Sequence, residues 1–71
     1  MKFELKDGGV YEITENQINT WTAIYPNVDV NHVLEDRQRY FENNPQQRKT
    51  ANGLLKYING WLNHENNKQN D

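Results

Sequence analysis

Apolar residues change their spacing along this chain, and each spacing predicts an element. Phe3 and Leu5 alternate with Glu4, and Tyr11 and Ile13 alternate with Glu12, the period of a strand with one apolar face. Between them, Lys6-Asp7-Gly8-Gly9 carries the Asp-Gly pair of a tight hairpin, because glycine reaches positive φ without a steric penalty. The first thirteen residues therefore predict a β-hairpin, Phe3 to Leu5 paired with Val10 to Ile13. Two strands alone are marginal, so their apolar face has to pack on helices.

From Thr14 onward the period becomes helical. Thr14 with Gln17 three residues on is a capping box, and Ile13 with Ile18 occupies the two positions of a hydrophobic staple. Ile18, Trp21 and Tyr25 share a stripe with Ile24 beside it, and Tyr25-Pro26 ends the helix, since the residue before proline disfavours α geometry. Asp29 caps a second predicted helix to about Asn43, with Val30, Val33, Leu34, Arg37, Tyr40 and Phe41 on its stripe. Arg37 interrupts that stripe, its stem covering the core edge and its head either reaching solvent or marking a ligand-facing rim. After Asn44-Pro45 and a polar turn, Thr50 caps the third helix, where Leu54, Leu55, Ile58, Trp61 and Leu62 give the clearest helical period of the chain. Residues 64–71 are Asn-rich without periodic apolar content, which predicts a disordered polar tail.

The prediction is a small single α+β domain over residues 1–63, an N-terminal β-hairpin packed on a three-helix bundle, in the order β-β-α-α-α. A chain of 71 residues with 34% hydrophobic content and no cysteine must hold together by compact aromatic and aliphatic packing. A Trp21–Trp61 contact is expected in that core. No apolar run approaches the roughly 20 residues of a membrane span and residues 1–9 have no signal-like segment, so the chain reads as cytoplasmic with no membrane partner.

Charge then changes the picture. The formal net charge is −2, but residues 1–36 carry two lysines against seven acids, while residues 37–56 carry five cations against Glu42. A basic face on an acidic body is a place for a polyanion, unless the two segments pair with each other. Arg48 and Lys49 stand just before the Thr50 cap, where the helix dipole favours negative charge. Free amides and two cations there are suited to a phosphate or a partner's carboxylate. The competing reading is that both side chains merely solvate a loop. The candidate nucleic-acid or anion-binding residues are Arg39, Arg48, Lys49, Thr50 and Lys56.

Other chemistry is thin. The chain has no serine and no cysteine nucleophile, His32 and His64 lack thiolate companions for a metal, and the carboxylates occupy cap, strand-surface and wet-face positions. Asp7-Gly8-Gly9 is a turn without the pattern of a phosphate loop. These observations predict a protein that is not an enzyme, with no metal, no cofactor and no small-molecule substrate.

The segments LKDGGVYEIT (5–14), Ile18 with Trp21, YPNVDV (25–30), NP-x-x-RKT (44–50) and YINGWL (57–62) together resemble a module at the C-terminus of many phage and prophage replication proteins, of the replisome-organiser or helix-turn-helix type. The match covers Phe3 to Leu62 without a gap. Ile58 and Trp61 are also similar to the closing I-x-x-W of the primosomal DnaD-like C-terminal motif, with Leu54 where that motif has Tyr. The resemblance implies a role in DNA replication, by contact with DNA or with a helicase-loading partner. Arg48, Lys49 and Thr50 match its RKT turn, Gly53 its helix glycine and Lys56 a basic position of its last helix. Glu35, Gln38, Gln47 and Asn52 stand where Lys or Arg is common, and Arg37 where Met is usual. The expected function is a non-enzymatic phage- or prophage-derived accessory module that contacts DNA phosphates weakly. The alternative is a protein-interaction module or small inhibitor that binds a host replication or defence protein, its acidic first half meeting a basic surface.

Overall fold

The computed structural model of the chain describes residues 1–69, the side chain of residue 69 excepted. Strands β1 (Lys2–Glu4) and β2 (Val10–Glu12) pair antiparallel, with Phe3 opposite Tyr11. They are followed by helices α1 (Glu15–Ile24) and α2 (Val30–Asn43), a single 3₁₀ turn at Pro45–Gln47, and α3 (Ala51–Gln69). This is the α+β domain expected from the spacing, a two-stranded hairpin packed on three helices.

Local chemistry explains the joints. In the hairpin, the Leu5 amide donates to the Gly9 carbonyl at 2.9 Å and the Gly8 amide to the Leu5 carbonyl at 3.1 Å, enclosing a three-residue loop. Gly8 carries the positive φ (90°) that this loop requires. The Asp7 carboxylate accepts from the Gly9 amide at 2.8 Å and holds the loop's far side. At α1 the capping box is complete, with the Gln17 amide donating to Thr14 Oγ1 at 3.2 Å and the Thr14 amide to Gln17 Oε1 at 2.9 Å. Asp29 caps α2 by accepting from the His32 amide at 3.2 Å.

The core lies between the hairpin's inner face and one stripe of each helix. Phe3, Leu5 and Ile13 come from the hairpin, Trp21 from α1, Val30, Leu34 and Phe41 from α2, and Leu54, Ile58 and Leu62 from α3. Phe41 is its hinge, meeting the edges of the Phe3, Tyr40 and Tyr57 rings at centroid distances of 6.3, 5.4 and 5.5 Å. No polar or charged residue is buried among the described ones, so the core owes nothing to polar networks.

Three expectations need correction or refinement. The tail predicted for residues 64–71 is helical through residue 69, while residues 70 and 71 lie outside the described ones. The helix is extended by docking rather than by apolar content: Glu65 and Asn66 are half-buried, and Asn66 Oδ1 accepts from the Asn27 amide at 3.1 Å. Lys68 in the last turn complements the helix dipole. Trp21 is buried as expected, but Trp61 is only half-buried, and its ring partner is Tyr57, with centroids 6.0 Å apart. Ile24 is 55% exposed, because the α1 stripe turns outward at its last turn before Pro26. Among the described residues no helix is long and apolar enough to cross a membrane.

A candidate anion-binding recess at the start of helix α3

The α2–α3 junction is built by side chains that satisfy the last carbonyls of α2. Asn44 Nδ2 donates to the Tyr40 carbonyl at 2.8 Å, and Arg48 Nε donates to the Phe41 carbonyl at 2.9 Å. A second Arg48 nitrogen reaches the Glu42 carbonyl at 3.4 Å and also pairs with the Glu4 carboxylate on β1. Arg48 thus ties the end of α2, the turn and the hairpin together. Here the acidic and basic segments do pair, as one of the two sequence readings allows.

Lys49 and Thr50 behave differently. The Lys6 amide donates to the Lys49 carbonyl at 2.8 Å, which fastens the hairpin loop to the turn and brings a second lysine beside the first. The Lys49 ammonium sits 5.3 Å from the centre of the Tyr57 ring, and neither Lys6 nor Lys49 forms an ion pair among the described residues. Thr50 is the cap of α3: its carbonyl accepts from the Leu54 amide at 2.8 Å and its Oγ1 from the Gly53 amide at 3.2 Å. The amides of Ala51 and Asn52 have no acceptor among the described residues, and no acid lies in the first turn of α3.

Lys6, Gln46, Gln47, Arg48, Lys49, Thr50 and Gly53 line an open recess of about 350 Å³. Gly53 shapes its floor. A Cβ there would stand 3.1 Å from Thr50 Oγ1 and 3.6 Å from Lys49 Cβ, pressing on the cap. Two ammonium groups without an ion pair among the described residues, beside the positive end of a helix dipole, make the recess a place for a phosphate or carboxylate.

Of the residues expected at the site, Arg48, Lys49 and Thr50 come together at this recess. Arg39 and Lys56 are exposed on α2 and α3 and do not line it. Lys6 was not legible as a member: it lies in the acidic half, 43 positions before Lys49, and only the hairpin's docking joins them. The polar hairpin loop with its single cation was the one available signal.

The Arg37 head does not extend freely into solvent but is half-buried between two rings. Its guanidinium carbon lies 4.8 Å from the Tyr40 ring centre and 4.4 Å from that of Trp61. Its nitrogens donate to the Tyr57 hydroxyl at 3.1 Å and to Asp36 Oδ2 at 2.7 and 3.2 Å. Burial works against the Arg37 charge, but hydrogen bonds to Asp36 and Tyr57 outweigh it and raise its pKa. The same hydrogen bond from Arg37 holds the Asp36 carboxyl below its ordinary range. A second open cleft of about 300 Å³ between α1 and α3, walled by Asn16, Gln17, Thr20, Trp21, Leu55 and Asn59, has no charged side chain to attract a polyanion. Among the described residues no three His, Cys, Asp or Glu side chains converge as metal ligands would. Searches of protein-family models, curated proteins and solved structures find no match to the chain.

Proposed function

We propose that this domain is a non-enzymatic, phage- or prophage-type accessory module of DNA replication that acts in the cytoplasm and touches DNA phosphates through the recess at the start of α3. The observation that carries this reading is the docking of the hairpin loop on the turn, which sets Lys6 beside Lys49 at a helix N-terminus free of acids. The likeness of the NP-x-x-RKT and YINGWL segments to replication modules supplies the context. Contact of this kind reads charge rather than sequence. With two free cations at the recess, only about two phosphates are neutralised, and the affinity is weak and falls steeply with salt.

Titration of labelled single- and double-stranded DNA at low and moderate salt tests the reading. Binding at low salt that weakens as salt rises, and that Lys6→Ala and Lys49→Ala reduce similarly for all sequences, supports it. Absence of binding at low salt removes it. The second reading, a protein-interaction module, draws on the half-buried Arg37, Tyr40, Tyr57 and Trp61 group, whose residue types are those enriched at binding hot spots. Capture of one stoichiometric, nuclease-resistant partner that Trp61→Ala releases favours this second reading.

A further inference from the structure

Gly53 lines the recess, and the exposed residue before it, Asn52, can change its charge. Helix α3 holds two Asn-Gly pairs, Asn52-Gly53 in its first turn and Asn59-Gly60 in its middle. Glycine leaves its own amide nitrogen open to approach, so Asn-Gly is the pair most prone to close on itself. The two sites differ in how the amide is held. Gly60 lies where each amide is bonded to a carbonyl one turn back. Gly53 lies in the first turn, and its amide has one acceptor, Thr50 Oγ1 at 3.2 Å. Asn52 is exposed, and its own amide is among those without an acceptor.

We propose that Asn52 is a deamidation site gated by the Thr50 cap, and that its conversion closes the recess to anions. When the first turn opens, the Gly53 nitrogen attacks Asn52 Cγ. The side-chain nitrogen leaves as ammonia, carrying the Gly53 proton, and a five-membered succinimide forms. Solvent water then adds across one of the two imide carbon–nitrogen bonds, giving aspartate or isoaspartate and releasing a proton. The product sets a carboxylate against the dipole's positive end, three residues from Lys49, and satisfies electrostatically what a phosphate would otherwise satisfy. The first turn is held at an end of the helix and opens at less cost than the middle of α3, which opens only with the core that Ile58 and Leu62 anchor. The chemistry is independent of the proposed function; the loss of anion binding rests on it.

The test is incubation of the folded protein in heavy-oxygen water at mildly alkaline pH, followed by peptide mapping. Expected is heavy-oxygen aspartate and isoaspartate at position 52 with position 59 intact, whereas in urea the two positions convert alike. Thr50→Val, which leaves the Gly53 amide without its acceptor, speeds conversion about fivefold in the folded protein. Asn52→Gln, which cannot form the five-membered ring readily, abolishes it and keeps the fold. Equal conversion at positions 52 and 59 in the folded protein, or a Thr50→Val rate equal to that of the parent, overturns the site. Asn52→Asp that binds a DNA oligonucleotide as tightly as the parent overturns the closing of the recess. Failure of the parent to bind DNA counts against the proposed function, and the mapping still decides the site.

Discussion

Arg48 and Lys49 are neighbours in sequence, yet the structure uses them in opposite ways. The Arg48 fork meets two α2 carbonyls and the Glu4 carboxylate, all fixed in place by helix and strand. The Lys49 ammonium meets the face of a tyrosine and forms no ion pair among the described residues. The contrast recurs across the molecule, where Arg37 is locked between the Tyr40 and Trp61 rings and hydrogen-bonded to Tyr57 and Asp36, while Lys6 is left open at the recess. A planar guanidinium with several directed donors becomes framework wherever acceptors converge, and an ammonium on a flexible stem stays available. In this domain the arginines that touch the core are part of the fold, and the lysines beside the α3 cap are the candidates for a ligand.

The largest expected effect lies where both regions share support. Phe41 touches the hairpin through Phe3 and the α3 aromatic group through Tyr57, so Phe41→Ala should cost about 3–5 kcal/mol. For a domain of this size that is enough to unfold much of the population. Half-buried Trp61 should cost less on truncation than Phe41, and the order of the two melting midpoints tests the placement of these rings. A Trp61→Ala midpoint at or below that of Phe41→Ala would place Trp61 in the core instead.

Next comes the arginine itself. Arg48→Ala leaves the Phe41 and Glu42 carbonyls without their donor and Glu4 without its cation, and should cost about 1–3 kcal/mol. Arg48→Lys should restore little of this, since one ammonium cannot span two carbonyls and a carboxylate with the geometry of the fork. Denaturant melts of the two variants check it. Full recovery in Arg48→Lys would mean that charge alone, and not the fork, holds the junction.

Lys49→Ala and Lys6→Ala should do the reverse, changing stability by no more than about 0.5 kcal/mol while lowering DNA affinity at low salt. Their salt slopes should each flatten by about one unit relative to the parent. A variant that melts early and binds normally would exchange the roles assigned to Lys49 and Arg48.

Much of the fold was legible because its signals are local. The Asp-Gly loop, the Thr14–Gln17 box, the Asp29 cap and the i, i+4 spacing of α3 each specify geometry within a few residues. What was not legible depends on distant partners. The continuation of α3 past Asn63 rests on Asn66 meeting the Asn27 backbone, 39 residues away. The arrest of Arg48 rests on Glu4, and the membership of Lys6 on a backbone bond to Lys49. The candidate recess divides in the same way: the cap and the RKT turn are contiguous in sequence, whereas the second lysine arrives through tertiary packing. Arg37 looked like a break in the α2 stripe because no sequence period announces that two rings from different helices will enclose it.

The smallest effect concerns pH and the same enclosed arginine. The hydrogen bond from Arg37 lowers the Asp36 pKa in the folded protein, so the unfolded chain takes up the proton at higher pH than the folded one. Asp36 therefore contributes stability that is fully present above its unfolded value, and this contribution is lost as pH falls through the depressed folded value. Raising the Arg37 pKa adds nothing within this window, because the guanidinium is charged in both states. Since the Asp36 side chain is half exposed, solvent screens the pair and the contribution stays small. Asp36→Asn should then lower the neutral plateau of the melting-midpoint profile slightly and converge with the parent at acid pH, which flattens the acid limb. The Arg37 stack on Trp61 and Tyr40 does not depend on the carboxylate, so the indole fluorescence of Trp61 should persist in the variant. If Asp36→Asn instead shifts that fluorescence, the carboxylate orients the guanidinium between the rings, and the aromatic enclosure is not sufficient to hold it.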